Sequence, residues 1–372
     1  MAATQKTGAV FRSNAEKIFL IFFFPAVFFG YLFYKYPGLL VNRLIDNPKN
    51  LYFLGKSPSF WYMLIYTAIV CFIAASVLWH NSNPYNVSKK KLPLNSYQKM
   101  KWCSILLCQF FAYLFFPFIL PGLRQDGGFF ADPLKPVYKD AIVYVYKGFF
   151  SAGSFFFIFV ALPFIVWFFG KRFCSWFCAC GNLAEAIGVT TWGARWVQNL
   201  TPRGEKANKL EVLQNIFLYF ALFFGLMLFI DTWKLFTVGN LPALLRQFQY
   251  VVVDLLFGSI IGVGAYPLLG TRIWCRYGCP LAKGMELSGR YSHSKFRVMA
   301  NSNCKGINLC SQACPMGIDV ASFAHKEKKA IEGSFGLDKT LCIGCGSCIS
   351  ICPVKALEFK IMLAGEKRTG GK

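Results

Sequence analysis

The sequence predicts a mainly α membrane protein, with about six transmembrane helices followed by a small α+β domain. Three observations carry this. Of 372 residues, 55% are hydrophobic and only 15% charged, against roughly 25% charged in an ordinary soluble protein. The apolar residues gather in six runs long enough to cross a bilayer. Twelve of the 15 Cys lie between Cys174 and Cys352, after the fourth and sixth of those runs. A soluble globular protein and a disordered chain are both excluded.

The runs are Ile18–Tyr34, Phe60–Trp79, Trp102–Gly122, Gly148–Gly170, Val212–Ile230 and Tyr250–Gly270. Pro25, Pro117, Pro163 and Pro267 fall inside them, and membrane helices tolerate such kinks where neighbours satisfy the freed backbone. Bulky Tyr31-Leu-Phe-Tyr-Lys-Tyr36 follows the first run, in place of the small residues of a cleavage site. It therefore reads as an anchor. Six spans put both termini on one side. The segments on that side hold 30 of the 40 Lys+Arg. The positive-inside rule then makes both termini cytoplasmic, in a multi-pass inner-membrane protein. Most of the net charge of +23 is thus topology plus a basic tail. Membrane lipid is the expected neighbour, and nucleic acid is not. The expected division is 1–270 for the membrane domain, 271–297 for a basic linker carrying a second cysteine element, 298–362 for the small domain, and 363–372 for a polar tail.

A repeat appears at an offset of 101 residues. Lys171-Arg-Phe-Cys174-Ser-Trp-Phe-Cys178-Ala-Cys180 runs on to Glu185 and Gly188. Arg272-Ile-Trp-Cys275-Arg-Tyr-Gly-Cys279-Pro280 runs on to Glu286 and Gly289 in the same register. On a helical turn, Cys-x3-Cys places two thiols on one face. Two such pairs offer four thiolates, enough for one [4Fe–4S] cluster at the membrane edge: Cys174, Cys178, Cys275 and Cys279. The plainer reading is small apolar cysteines filling space, but the matched offset argues against it. A cytoplasmic position disfavours disulfides. Cys180 is either a bystander or an alternative ligand.

The strongest motif is Cys342-Ile-Gly-Cys345-Gly-Ser-Cys348-Ile-Ser-Ile-Cys352-Pro353. This C-x2-C-x2-C-x3-C-P spacing is the two-cluster ferredoxin run, whose last Cys serves the other cluster. Zinc more often uses two separated pairs. Upstream, Cys304, Cys310 and Cys314-Pro315 fit the same template, with Ile307 where a Cys would stand. One [4Fe–4S] cluster is therefore expected on Cys342, Cys345, Cys348 and Cys314. A second is expected on Cys304, Cys310 and Cys352, with one corner facing Ile307. That corner makes it either [3Fe–4S] or a [4Fe–4S] lacking a thiolate. The small domain is thus dicluster ferredoxin-like. Haem is not expected, because His80, His293 and His325 are too few for a di-haem core. Val320–Gly333 reads as a helix, with His325 exposed on it. The basic stretch Arg290–Arg297, with His293 and Lys295, either meets headgroups or docks an acidic redox partner.

Together these features resemble the membrane polyferredoxins. That group includes quinol-dehydrogenase subunits of periplasmic nitrate reduction, electron donors of nitrous oxide reduction, and assembly ferredoxins of copper-containing oxidases. Cys314-Pro-Met-Gly-Ile-Asp-Val is similar to the last of these. The resemblance spans roughly Gly148 to Phe359, and departs from the pattern at Cys178-Ala179 and at Ile307. It implies a relay between the quinone pool and a redox partner protein or complex. The quinone site is unassigned and no catalytic residue is expected, so the chain reads as an electron-transfer subunit. Asp231 and Asp254 are candidates for assisting quinol deprotonation or, more simply, structural pairing residues. A metal-reductase or assembly factor is the alternative, but the outer loops carry no Cys, His or Met. Integral membership of a larger redox complex is the third reading.

Overall fold

The computed structural model describes residues 14–35, 53–84, 93–120, 156–190, 201–236, 239–264, 270, 272–327 and 329–362. Parts of three expected spans (121–122, 148–155 and 265–269) and the tail 363–372 lie outside them. Three helical stretches are long and apolar enough to cross a membrane: Pro58–His80, Ser96–Ile119 and Ala207–Asp231. The other three runs form shorter apolar helices, Lys17–Phe33, Ile158–Phe169 and Val251–Gly262.

Helix α1 covers Asn14–Lys35 and α2 Pro58–His80. Ser57 caps α2 by accepting the Phe60 N–H at 3.4 Å, and Pro58 opens it, where no N–H is needed. α3 (Ser96–Phe110) is capped by Asn95 Oδ1, which accepts the Gln98 N–H at 2.8 Å. It widens into π-helical turns over Phe111–Ile119, around Pro117, which lacks an N–H to give. α4 (Leu162–Phe169) is followed by two short helices, α5 (Phe173–Trp176) and α6 (Ala179–Gly188). α7 (Glu205–Lys209) leads into α8 (Val212–Thr232), and α9 (Leu241–Phe248) continues as π-helical turns through Gly264. Large apolar side chains such as Phe22, Phe72, Phe164 and Tyr219 point outward and are exposed. On a soluble protein such a surface would aggregate; on membrane helices it faces lipid.

α10 (Ile273–Tyr277) and α11 (Pro280–Tyr291) lead to β1 (Phe296–Ala300). After α12 (Leu309–Gln312) come β2 (His325–Lys326), β3 (Lys329–Ala330), β4 (Ser334–Phe335), α13 (Ser347–Ile351) and β5 (Leu357–Ile361). The main sheet has the order β4-β1-β5, antiparallel, with Val298 opposite both Phe335 and Phe359.

One apolar core joins the membrane helices to this tail. Leu162, Val166, Phe224 and Val253 continue through Trp274 and Met285 to Phe296, Val298, Phe335 and Leu357. Ser294 Oγ donates to Val166 O at 2.9 Å, and the Lys295 N–H donates to Trp167 O at 2.7 Å. Gly170, at φ 63°, lies where a Cβ would sit 2.6 Å from the Phe296 ring, so the join requires glycine. Residues 272–297 are therefore packed helix and the start of a strand.

One expectation is corrected. Val320–Gly333 is not one helix. A 3₁₀ turn at Val320–Phe323 gives way to the β2–β3 hairpin, with Glu327 at φ 49° in its turn. Phe323 is drawn inward against Phe335, their rings 4.8 Å apart, which stops the helix from continuing. His325 is therefore a half-buried strand residue, lying over Gly306. The basic stretch is largely satisfied internally. Arg290 meets Glu286, Lys295 Nζ sits 4.3 Å from the Trp167 ring, and Arg297 pairs with Asp338 at 2.7 Å.

Candidate metal centres

At the membrane edge both cysteine elements fold alike, but not as one helical turn. The helix breaks between the two cysteines. Cys178 N–H donates back to Phe173 O at 3.0 Å, and Cys279 N–H to Trp274 O at 2.7 Å, each a five-residue step. Cys178 and Cys279 then sit at the N-caps of α6 and α11, with matching extended backbones (ψ 118° and 113°). Each second cysteine thus presents its sulfur at a fresh helix N-terminus, where backbone N–H groups are unpaired and anions are favoured. At Cys279 the Ala282 N–H donates to Sγ at 3.4 Å.

The break brings the two copies together. The thiols of Cys174 and Cys275 hydrogen-bond each other, and Cys178 and Cys279 both lie within electrostatic reach of Cys275. Cys180 hydrogen-bonds Cys178. The hydrogen bond from Cys174, aided by the Arg272 guanidinium, holds the Cys275 thiol well below the usual range, whereas burial pushes Cys279 up. Buried Gln214 donates to the carbonyls of both Cys275 (2.9 Å) and Cys279 (3.1 Å).

Beneath this set lies a buried ionic layer. Glu185 accepts from Lys101 Nζ at 2.5 Å and from Arg272, whose Nη1 also donates to Cys174 O at 2.6 Å. Lys101 further reaches Cys345 O, as does Gln98, and the Tyr97 hydroxyl donates to Gly344 O. The start of α3 thus clamps the tail's cysteine loop onto the membrane-edge set. Sequence reasoning missed Tyr97, Gln98 and Lys101. Their signal was there, as polar residues one helical turn apart entering an apolar span.

In the tail, Cys314, Cys342, Cys345 and Cys348 line one cavity, with apolar walls that include Met316, Phe335 and Phe359. Gly344 (φ 61°) and Gly346 (φ 76°) make the loop's turns, and the Gly344 N–H donates to Cys342 Sγ at 3.4 Å. Cys304, Cys310 and Cys352 form a neighbouring, less buried group, with Cys304 and Cys352 both within electrostatic reach of Cys310. The Ala356 N–H donates to Cys352 Sγ at 3.2 Å, and Ile307 is 51% exposed beside them. Asp231 lies exposed at the end of α8, while the side chain of Asp254 falls outside the described residues.

The donor chemistry fits iron–sulfur clusters. Burial pushes the thiols of Cys310 and Cys314 up to about 11 and that of Cys342 up to about 12. As thiolates, such groups need cationic partners inside the protein. Among the described residues no three His, Cys, Asp or Glu close on a single point as one metal ion would require. Four buried thiols around a cavity, with N–H groups aimed at sulfur, suit a multi-iron cluster instead.

Fold and sites together define an iron–sulfur electron-transfer protein of the membrane. The 4Fe-4S binding domain family matches residues 336–358. The ferredoxin-type protein NapH of Haemophilus influenzae is 25% identical over 51% of this chain and 62% of its own length. The uncharacterized protein MJ0749 of Methanocaldococcus jannaschii is 26% identical over 56% of this chain and 71% of its own. One component of the ion-translocating oxidoreductase complex of Aliivibrio fischeri is 48% identical, but over 11% of this chain and 22% of its own. The chain thus spans between about a fifth and seven tenths of the length of these relatives. No solved structure matches. These similarities are to iron–sulfur and ferredoxin-type proteins, and they support iron–sulfur electron transfer for this chain.

Proposed function

We propose that this protein relays electrons between the quinone pool and a redox partner through three clusters. One [4Fe–4S] would sit on Cys174, Cys178, Cys275 and Cys279. A second would sit on Cys314, Cys342, Cys345 and Cys348. The third would sit on Cys304, Cys310 and Cys352, as [3Fe–4S], because the corner left by Ile307 has no thiolate. With six spans and cytoplasmic termini, all three would lie at the inner membrane face. The observation that carries this reading is the direct join between the first two sets: Ser175, next to Cys174, donates its hydroxyl to Ile343 O at 2.8 Å. When bound, the clusters supply one-electron carriers. The chain's own residues position the cysteine turns, aim N–H groups at sulfur, and exclude water.

The name of the H. influenzae relative, a ferredoxin-type protein, and the shorter match to a component of a redox complex favour a partner protein over free-standing action. Anaerobic purification with native mass spectrometry and EPR tests the whole proposal. Cys275→Ala should lower iron content by one cluster and leave the tail's EPR signals intact; unchanged iron would refute the membrane-edge assignment. Oxidised wild-type protein without a three-iron EPR signal would refute the [3Fe–4S] assignment.

A further inference from the structure

Lys171 follows the last turn of α4 and precedes Cys174. Its side chain is fully buried, and its ammonium has no hydrogen-bond or ion-pair partner among the described residues. The neighbouring fully buried cations are paired, Lys101 and Arg272 with Glu185, Arg276 with Glu211 and Arg297 with Asp338, while the partly buried Arg172 lies over the rings of Tyr97 and Phe296. A buried ammonium without an anion is strongly destabilising, so its persistence calls for a negative group beside it.

The repeat explains why no carboxylate meets it. At the offset of 101 residues, Lys171 is the counterpart of Arg272, and Glu185 the counterpart of Glu286. Arg272 reaches across the repeat to Glu185. The reciprocal pair does not form. Glu286 is held instead by Lys283 at 3.0 Å and Arg290 at 3.2 Å, on its own helix. Lys171 is left facing the cysteines. The segment that carries it is wedged between two of the sets. Cys174 meets Cys275 on one side, while Ser175 bonds Ile343 O and Arg172 packs against Gly344 on the other. The ammonium accordingly lies within electrostatic reach of Cys174, Cys275 and Cys279 in one set and of Cys342 in the other.

We infer that Lys171 is the counter-charge shared by the membrane-edge cluster and the adjacent tail cluster, a positioning residue for charge that holds both at a higher potential than their thiolates alone would give. The inference rests on the three-cluster reading. One-electron reduction adds one negative charge to a cluster and breaks no bond. A fixed cation in a low-dielectric site favours that added charge. No comparable cation serves the third set among the described residues, and its cysteines are less buried.

The test is an EPR-monitored redox titration of the full-length protein, with signals assigned through Cys275→Ala. Lys171→Met keeps the length and removes the charge. It should move both neighbouring clusters to more negative potential and leave the Cys304/Cys310/Cys352 cluster unchanged, with Lys171→Arg restoring both. Lys209→Met, which removes an exposed cation, should move none. Loss of iron from those two sets alone in Lys171→Met and Lys171→Gln, rescued by Arg, supports the same role. Unmoved potentials, a shift in only one of the two, or loss of all three clusters in both neutral variants overturns it. Wild-type protein without iron on the Cys174 set refutes the three-cluster reading itself, whereas iron present with potentials unmoved refutes only the role of Lys171.

Discussion

Replacing Glu185 by alanine tests the buried ionic layer at its centre. Glu185 is the single carboxylate between Lys101 and Arg272, and the side chains of both cations are 0% exposed. Removing one partner of a buried ion pair costs about 3–5 kcal/mol, because the charge left behind cannot be hydrated. Here two cations are left. The repeat provides an internal control in Glu286, which is as buried as Glu185 but pairs with Lys283 and Arg290, whose side chains are 12% and 46% exposed. Both cations keep some access to water, unlike Lys101 and Arg272, so Glu286→Ala should cost less than Glu185→Ala, about 1–3 kcal/mol, the penalty for leaving a buried polar partner unsatisfied. At roughly 2–4 °C per kcal/mol, a figure taken from domains of about 150–250 residues, Glu185→Ala should lower the melting temperature by about 6–20 °C. Heat-induced loss of cluster absorbance, followed alongside tryptophan fluorescence in detergent, reads the effect. Arg272 also holds the Cys174 carbonyl, so the variant should shed iron from the membrane-edge set before the tail. Adding Lys101→Met removes one orphaned cation, and the double variant should be more stable than Glu185→Ala alone. If Glu286→Ala proves as damaging as Glu185→Ala, or the double variant recovers nothing, the layer is not held together by this charge pairing.

Other outcomes follow from the cysteine geometry. Gly346→Ala places a Cβ 2.8 Å from the Tyr97 ring at φ 76° and should cost more than the roughly 1–2 kcal/mol of left-handed backbone strain; Gly204→Ala, at φ 86° in open space, should cost only that strain, as thermal melts of the two would show. Cys180→Ala should keep the iron content of wild type, whereas Cys178→Ala should not, because only the second cysteine of each element occupies the matched helix N-cap. Cluster assembly should release protons and be favoured by rising pH. The metal-free thiols of Cys310, Cys314 and Cys342 are raised to about 11, 11 and 12. Near neutral pH they are therefore protonated, and each iron–thiolate bond displaces a proton. Anaerobic reconstitution in weak buffer measures that release, and iron uptake that is insensitive to pH would contradict it.

The cysteine sets were legible because their spacings are local. Three cysteines within seven residues must wrap one object, and the glycines between them announce turns. The repeat was legible as a matched register. What it does in space was not. The i, i+4 rule put both thiols of each element on one helical face, but the backbone inserts a five-residue hydrogen-bonded step there and restarts the helix. Nothing in the hydrophobic pattern records that step, which is stabilised by what lies across it: Gln214 under Cys275 and Cys279, and Arg272 under Cys174. The hairpin at His325–Ala330 was misread for the same reason. Its local sequence is compatible with a helix, and the contact that ends the helix, Phe323 on Phe335, joins distant stretches. Lys101 and Glu185 are 84 residues apart in sequence, so their pairing could come only from the folded chain.

These long-range ties also give the proposed relay its order. Tyr97, Gln98 and Lys101 bind the carbonyls of Gly344 and Cys345, while Ser175 binds that of Ile343. The Ser175 bond joins the membrane-edge set to the Cys314/Cys342/Cys345/Cys348 set directly, and the other three tie that second set to the start of α3, whose Lys101 also holds Glu185. Cys304, Cys310 and Cys352 lie beyond it, less buried and beside exposed Ile307. Clusters at these sites would therefore run in one line, from the membrane edge through the buried tail cluster to the exposed one. A soluble partner would meet the third cluster, while a quinone could exchange electrons only with the first. Substituting Cys314 should then cut the path in the middle, leaving the first cluster reducible from the membrane side and the third reducible only from solution.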